Sequence, residues 1–282
     1  MYGGLDPHPA AGGVRNHVIM KTVLITGAAG GIGSAAARAM LAEGYTVYGL
    51  DRNRPDHCPG LRFIPVDLTD PDSVAEAYSL CEKTGIRFDF LVHAAGIYDL
   101  DSLVEISEER FQRIFEINLF GVYRINKTFL PLLRKGAGIL ILTSELAPLD
   151  PLPFTGLYAV SKSALDQYAA SLRMELQLLG IRVMILRPGA VDTGLLDISI
   201  QCLDAFCQNT SLYHTGADRF RRIVSRVESR KISPEKLASF ILSILKSRYP
   251  RPVYHINRNP FLRILSCLPD RMQCFIIRKL VQ

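Results

Sequence analysis

From Lys21 onward, short runs of β-branched and aliphatic residues alternate regularly with longer amphipathic stretches. Short apolar runs are typical of buried parallel strands, and the stretches between them have the period of helices packed on a sheet. The alternation predicts one α/β domain, a doubly wound parallel sheet of about seven strands with helices on both faces. The predicted strands are 22–26, 46–50, 62–65, 88–93, 138–143, 182–186 and 252–255, and the predicted helices are 32–43, 73–84, 107–133, 157–179 and 234–247.

Three segments depart from this alternation of predicted strands and helices. Residues 1–19 are rich in glycine, proline and alanine, which predicts a disordered leader before a domain that covers 20–257. Residues 190–232 follow the sixth predicted strand, at the sheet edge where open α/β folds bind ligands, so we expect a substrate-loop insertion there. Residues 258–282 are predicted to form a basic, amphipathic C-terminal extension.

Composition and charge narrow the class of protein. The formal net charge is +6, but the basic residues concentrate in 241–282, where Asp270 is the only acid. These residues are interleaved with apolar ones and accompany no recognition motif, so nucleic acid is not an expected partner. The six cysteines form no C-x-x-C pair and no grouping with histidines, which favours a reduced, cytoplasmic protein without a metal site. No run of apolar residues is long enough to span a bilayer.

The first predicted strand runs into a glycine-rich loop, Thr26-Gly27-Ala28-Ala29-Gly30-Gly31-Ile32-Gly33, and then into a helix rich in alanine. Glycines allow a tight turn and let the backbone approach a pyrophosphate, whose charge is stabilised at the helix N-terminus. A plain strand-to-helix turn explains a lone glycine-rich string as well, and only the strand and helix around it favour a dinucleotide site.

Asp51 ends the second predicted strand, where a carboxylate can accept hydrogen bonds from the adenosine ribose and repel a 2′-phosphate. Arg52 and Arg54 follow and could offset that repulsion. The preferred cofactor is therefore predicted to be NAD, with NADP as the alternative.

Tyr158 and Lys162 are four residues apart in a predicted helix and therefore lie on the same helical face. A nearby ammonium favours the phenolate, so we expect Lys162 to draw the pKa of Tyr158 down and to make the tyrosine a usable acid and base. Ser144, at the end of the fifth predicted strand, can hydrogen-bond the reacting oxygen. The four-residue spacing alone would fit an ordinary surface pair of tyrosine and lysine. The joint occurrence of this pair with the glycine loop is what favours a catalytic role.

Together these motifs resemble the short-chain dehydrogenase/reductase family, in particular its hydroxysteroid and retinol dehydrogenase-like members, from Met20 to about His255. The cofactor motif T-G-x-x-x-G-x-G matches the glycine loop, and the catalytic Y-x-x-x-K matches Tyr158 and Lys162. The resemblance implies a Rossmann-like fold and names Ser144 as the catalytic serine. It also implies that Asn118 anchors a water-linked proton relay through Lys162.

The expected cofactor site combines the residues reasoned above with those that the resemblance adds. The resemblance places Asp67 at the adenine ring and the Pro188–Gly189 segment at the nicotinamide end. The full expected set is Gly27, Gly31, Ile32, Gly33, Asp51, Arg52, Asp67, Leu68, Ala94, Ala95, Gly96, Tyr158, Lys162, Pro188, Gly189, Val191 and Thr193.

One departure from the family pattern follows the fourth predicted strand. Where the family has N-N-A-G, this chain has His93-Ala94-Ala95-Gly96, so the usual asparagine contacts are absent. No acidic partner lies near His93 in sequence, and we expect it to be a structural residue at the strand end.

The leading functional hypothesis is hydride transfer between NAD(P) and a bulky lipophilic alcohol or ketone, such as a hydroxysteroid. Apolar residues of the insertion could line its pocket, although packing on the core explains them equally well: Leu195, Leu196, Ile198, Ile200, Leu203, Phe206, Leu212 and Tyr213. The alternatives are a reductase of 3-oxoacyl thioesters or sugars, and a catalytically idle NAD(H) sensor. The resemblance implies a homodimer or homotetramer built on helices 107–133 and 157–179.

The basic tail reads as two short amphipathic helices, at 260–265 and 272–281. Such helices either fold back over the substrate cleft or lie in a membrane interface, and the plainer alternative is packing on their own domain or a partner subunit. The expected localisation is cytoplasmic, with peripheral membrane contact through this tail as a further hypothesis.

Overall fold

The computed structural model describes residues 20–150, 152–228 and 230–281, so the predicted leader lies outside the described residues. Seven parallel strands form one sheet in the order β3-β2-β1-β4-β5-β6-β7. The predicted doubly wound parallel sheet is confirmed. The strands are β1 (Thr22–Thr26), β2 (Thr46–Asp51), β3 (Arg62–Pro65), β4 (Phe88–His93), β5 (Leu133–Leu142), β6 (Arg182–Pro188) and β7 (Val253–Ile256).

Helices connect these strands and cover both faces of the sheet. They are α1 (Gly31–Ala42), α2 (Pro71–Lys83), α3 (Glu108–Phe115), α4 (Gly121–Phe129), α5 (Gly156–Leu176), α6 (Gly194–Asn209), α7 (His214–Glu228), α8 (Pro234–Lys246), α9 (Pro260–Leu265) and α10 (Asp270–Val281). Because side chains alternate along a strand, Leu24 of β1 packs on the face shared with α4 and α5, while Val23 and Ile25 pack on the face shared with α1 and α8.

The helix predicted at 107–133 is not one regular α-helix. A π-helical turn, Glu116–Phe120, separates α3 from α4, and a 3-10 turn, Leu130–Leu132, ends the run. The wider turn accommodates an extra residue and carries the buried side chain of Asn118. Pro131 cannot donate an α-helical hydrogen bond, and the strand predicted to begin at 138 already begins at Leu133.

Four helices form a layer over the carboxyl edge of the sheet, and we call α6, α7, α9 and α10 the cap. The first two occupy the predicted insertion, and the last two are the predicted tail helices. All four bury apolar side chains in one cluster that includes Phe206, Phe220, Leu262 and Ile277. Within the described residues, no helix is both long and apolar enough to cross a bilayer.

Phe154 joins the cap to the loop that precedes α5. Its ring centre lies 4.4 Å from that of Phe206 and 5.0 Å from that of Phe220. Its φ of 63° falls in the left-handed region that bulky residues avoid, so these ring contacts offset a locally strained backbone. The loop between Ser144 and Tyr158 is thereby fastened to the cap.

Candidate active site

The glycine loop lies between β1 and α1 and packs closely against the backbone that follows β4. Gly27 has a φ of 70°, and a Cβ added there would lie 2.6 Å from the backbone of Ala95. The N-cap residue of α1, Gly30, makes no side-chain capping bond, and the first turn holds no acidic residue. The N-terminal N–H groups of this helix are therefore free of side-chain caps, as a site for an anionic group requires.

Asp51 lies against this loop. Its Oδ2 accepts a hydrogen bond from the backbone N–H of Ala29 at 2.9 Å, and its Oδ1 accepts one from Asn53 N–H at 3.1 Å. The side chain of Arg52 is exposed beside it. The carboxylate is thus held at the loop by the backbone and presents a negative charge at the end of β2.

The expected adenine-side residues sit after β3. Asp67 Oδ1 accepts hydrogen bonds from the hydroxyl and the backbone N–H of Thr69, and these bonds lower the pKa of the Asp67 carboxyl. Leu68 packs against α4, because a Cβ added at Gly121 would lie 3.0 Å from the Leu68 Cβ. Asp67 is therefore ionised, and Leu68 holds this segment on α4.

Ser144, Tyr158 and Lys162 line one cleft at the carboxyl edge of the sheet. The Lys162 Nζ lies 5.8 Å from the centre of the Tyr158 ring and donates to the Leu142 carbonyl at 3.5 Å. Burial raises the pKa of Tyr158 to about 12, and a hydrogen bond from Ser144 acts in the opposite direction. Burial also lowers the pKa of Lys162 to about 8.

These pKa directions differ from the expectation that Lys162 draws the pKa of Tyr158 down. Both side chains are buried, and removing the phenolate from water outweighs the attraction of an ammonium more than 5 Å from the ring. Tyr158 therefore holds its proton at neutral pH, as a proton donor must.

Asn118 lies behind the cleft rather than in its lining. Its Oδ1 accepts from Ile97 N–H at 2.8 Å, and its Nδ2 donates to the Ile97 carbonyl at 3.0 Å and to the Ser161 hydroxyl at 3.1 Å. The residue thus ties the loop after β4 to the helix that carries Tyr158 and Lys162. The π-helical turn places Asn118 there, and no sequence pattern indicated that turn.

His93 is buried at the end of β4 and does not line the cleft. Its Nε2 hydrogen-bonds Asn126 Oδ1 at 2.9 Å, and Asn126 Nδ2 donates to the Tyr168 hydroxyl at 3.2 Å. Burial lowers the pKa of His93 to about 4, so the ring is neutral. This chain of bonds fits the expectation of a structural histidine.

The segment after β6 packs directly on the glycine loop. Pro188, Gly189, Val191 and Thr193 line the cleft together with Ile32, Ala94, Ala95 and Gly96. A Cβ added at Gly31 would lie 2.6 Å from the Thr193 Cγ2, so only glycine permits this contact. The structure therefore brings most of the expected cofactor residues to one surface.

The far wall of the cleft is apolar and comes largely from the cap. Leu195 and Leu196 of α6, Val224 of α7 and Leu262 of α9 contribute to it. Of the other apolar residues predicted for the insertion, Leu203 and Phe206 are buried in the cap, and the remainder are exposed: Ile198, Ile200, Leu212 and Tyr213. The apolar residues of the insertion therefore serve both purposes, since some line the cleft and others pack inside the cap.

Sequence reasoning missed two carboxylates beside the site. Asp166 lies one helical turn beyond Lys162, a spacing that could have signalled it. Glu145 follows Ser144, and its Oε2 accepts the backbone N–H of Asn259 at 2.6 Å. Burial raises the pKa of Glu145, against the opposing effect of that hydrogen bond. Because 114 positions separate Glu145 from Asn259, no local pattern could reveal this contact.

Comparison with known proteins agrees with this geometry. A sequence model of the family described as short chain dehydrogenase matches residues 21–200. A 3-ketodihydrosphingosine reductase from Bacteroides thetaiotaomicron is 29% identical over 92% of this chain and 97% of its own length. The estradiol 17-beta-dehydrogenase 2 of Mus musculus is 33% identical over 63% of this chain, which spans 50% of that protein.

Solved structures give the same result for the fold. A short chain dehydrogenase family protein from Francisella tularensis superposes with a TM-score of 0.71 at 25% identity, covering 84% of this chain and 97% of its own. An alcohol dehydrogenase from Thermococcus sibiricus, complexed with 5-hydroxy-NADP, superposes with a TM-score of 0.67 at 26% identity, covering 86% and 99%. The chain therefore belongs to the short chain dehydrogenase family and is an oxidoreductase that uses NAD(H) or NADP(H).

Proposed function

We propose that this enzyme reduces the ketone of a bulky lipophilic substrate to a secondary alcohol, with Tyr158 as the proton donor. The observation that carries the proposal is one cleft with Ser144, Tyr158 and Lys162 at its polar end and an apolar wall from the cap. A carbonyl bound at the polar end leaves the rest of its molecule against leucines and a valine, which stabilise an apolar body.

In the reducing direction the Tyr158 hydroxyl donates its proton to the carbonyl oxygen as that oxygen gains negative charge. Ser144 hydrogen-bonds the same oxygen and keeps it within reach of the tyrosine. The hydride that completes the alcohol would come from NADH or NADPH when it is bound at the glycine loop. Lys162 provides a positive charge beside the transferring proton, and Asn118 holds the loop after β4 against α5.

One comparison favours reduction as the main direction, because a relative that matches 92% of this chain is named a reductase. The protonated state of Tyr158 fits the step in which it donates a proton, since burial raises its pKa to about 12.

For cofactor binding we propose the glycine loop with Gly27, Gly31 and Gly33 for the pyrophosphate, and Asp51 for the adenosine ribose. The N-terminus of α1, which has no side-chain cap and no acidic residue in its first turn, supports the pyrophosphate assignment. The charge of Asp51 favours NAD over NADP, with Arg52 as the residue that could offset it. The remaining members of the proposed site are Ile32, Arg52, Asp67, Leu68, Ala94, Ala95, Gly96, Tyr158, Lys162, Pro188, Gly189, Val191 and Thr193.

Among lipophilic ketones, a long-chain keto lipid is the first candidate and a hydroxysteroid the second. The similarity to a 3-ketodihydrosphingosine reductase extends over 92% of this chain. It therefore includes residues of the cap, which forms the apolar wall. The similarity to an estradiol dehydrogenase extends over only 63% of this chain.

The test is a panel of ketones assayed with NADH and with NADPH: a long-chain keto lipid, a keto steroid, a 3-oxoacyl thioester, a sugar and a small ketone. We expect turnover of the keto lipid, and loss of at least about a thousandfold in kcat in Tyr158→Phe with cofactor affinity retained. Tyr168→Phe, on the same helix, is the matched control and should keep most activity. Turnover of sugars or thioesters in preference to lipids would contradict the proposal.

The homodimer or homotetramer that the sequence predicts would place α4 and α5 at the subunit contact. Exposed apolar side chains on these helices, among them Tyr123, Val160 and Met174, support this arrangement. Sedimentation velocity of the wild type and of Val160→Glu tests it, because a buried charge at a symmetric contact should release monomers.

A further inference from the structure

The outward face of α10 carries an exposed aromatic side chain with three basic side chains around it. Gln273, Ile276 and Ile277 face the cap, and Phe275 lies on the opposite side of the helix, 59% exposed. Arg271 and Arg278 lie four residues before and three residues after it, so they border it on the same face. The Lys279 Nζ lies 5.0 Å from the centre of the Phe275 ring. An exposed apolar side chain on this face is therefore flanked by positive charge.

The neighbouring helix α9 repeats this arrangement over a shorter length. Phe261 and Ile264 are 45% and 65% exposed, and Arg263 is exposed between them. Leu262, on the inward side, lines the substrate cleft. One helix therefore separates the apolar wall of the cleft from an apolar and basic outer surface.

The charge on this surface is not balanced by the protein. Residues 258–281 contain the basic side chains named above together with Arg258, and Asp270 is the only acid. None of Arg263, Arg271, Arg278 and Lys279 forms an ion pair with a carboxylate of the described residues. A partner that is complementary to this surface must therefore present negative charges for the cations and an apolar region for the exposed side chains between them.

We propose that the outward faces of α9 and α10 dock on an anionic phospholipid bilayer. At such an interface Phe261, Ile264 and Phe275 insert into the acyl boundary, while the arginines and Lys279 contact lipid phosphates and carboxylates. A contact with another protein is the alternative that the vesicle assay distinguishes.

The docking surface would also bring the cleft close to a membrane-dissolved substrate, and this part rests on the proposed function. Lipophilic ketones partition into bilayers, and α9 would lie between the bilayer and the wall to which Leu262 contributes.

The test uses the full chain with point substitutions, because removing the tail would also remove the hydrogen bond from Asn259 to Glu145 and the wall residue Leu262. Co-sedimentation is measured with vesicles of phosphatidylcholine, alone or with roughly 30% phosphatidylserine. We expect binding to the anionic vesicles only, and a drop of at least about tenfold in affinity for Phe275→Ser. Arg271→Gln with Arg278→Gln should cost roughly fivefold for each charge at low salt.

Tyr249→Ser is the matched control. Tyr249 is 80% exposed and also has a cation over its ring, Arg248, at 5.4 Å. It precedes β7 and therefore lies at the sheet edge opposite the cap. Its substitution should leave vesicle binding unchanged, and every variant should retain turnover of a small water-soluble ketone, which reports folding independently.

Failure of the wild type to bind anionic vesicles would overturn the proposal, as would equal losses in the Tyr249 and Phe275 variants. If Phe275→Ser instead dissociates oligomers in sedimentation velocity and vesicles are ignored, the surface is a contact between copies of this chain. Because vesicle binding is measured without substrate, its outcome is separate from that of the ketone panel.

Discussion

Asp166 and Arg187 form a two-pronged ion pair, with Arg187 Nε 2.8 Å from Oδ1 and Nη2 2.6 Å from Oδ2. The Thr143 hydroxyl also donates to Asp166 Oδ1, at 3.0 Å. Thr143 directly precedes Ser144, and Arg187 directly precedes Pro188. One carboxylate on α5 therefore links the strand end that carries the proposed catalytic serine to the strand end that leads into the proposed nicotinamide segment.

We expect the Asp166 and Arg187 side chains to be strongly coupled. A double-mutant cycle with Asp166→Ala and Arg187→Ala should give a coupling free energy of unfolding of about 1–2 kcal/mol, since both side chains are less than one-fifth exposed. The exposed pair of Lys231 and Asp192 is the control and should give about 0.5 kcal/mol or less. Misplacement of the two strand ends should also lower kcat by at least about tenfold. An unchanged kcat would mean that the pair serves stability alone.

Ketone reduction should slow at alkaline pH because of Lys162. Burial lowers its pKa to about 8, so its charge is present below that pH and is lost above it. Tyr158 stays protonated throughout, because its pKa is raised to about 12. We therefore expect kcat, measured from about pH 6 to about pH 10, to fall about tenfold per pH unit above pH 8. In Lys162→Arg the overall rate should be lower but this decline should vanish, because arginine keeps its charge. A wild-type profile that stays flat would show that the charge is not required.

Cofactor preference should respond to the charge of Asp51. Asp51→Asn keeps an oxygen that can accept the Ala29 N–H but removes the repulsion of a 2′-phosphate. We expect the kcat/KM ratio of NADPH over NADH to rise by at least about tenfold. Asp56→Asn, at an exposed position beyond β2, is the control and should leave that ratio unchanged. A kcat/KM ratio that stays constant in both variants would mean that Arg52 and Arg54, and not Asp51, set the cofactor preference.

His93 should make the protein sensitive to mild acid. The folded protein binds this proton only near pH 4, whereas the unfolded chain binds it near pH 6.5, so the free energy of unfolding falls as pH drops through this window. Between pH 7 and pH 5 the loss from this residue should be about 2 kcal/mol.

Urea denaturation at the two pH values measures this loss. In His93→Asn the decrease should be smaller than in the wild type by that amount, whereas in His57→Asn, an exposed control, it should match the wild type. Equal decreases in the wild type and in His93→Asn would show that the buried ring is not the acid-sensitive group.

Much of the architecture followed from local pattern. The strands at Thr22–Thr26, Arg62–Pro65 and Phe88–His93 have their predicted bounds, because a short apolar run between turns leaves few alternatives. The loop between β1 and α1 and the pairing of Tyr158 with Lys162 could be predicted for the same reason, since each depends on residues within one turn or one loop.

The failures of prediction concern elements whose local pattern is weak. The turn at Glu116–Phe120 reads as ordinary helix in sequence, and its wider geometry persists because Asn118 bonds to Ile97 and Ser161. The two helices of the insertion were not predicted, since their apolar residues are divided between the cleft, the cap and solvent.

The sequence by itself determined the succession of the seven strands and of most helices that connect them, the glycine-rich loop and the family of oxidoreductase, because periodicity and motif spacing act over a few residues. Only the tertiary structure decided the pKa of Tyr158, the link from Glu145 to Asn259 and the position of Leu262 in the cleft wall. Each of these depends on burial or on contacts between residues far apart in the chain. Such contacts form only when the sheet and the cap pack together, and no local pattern encodes them.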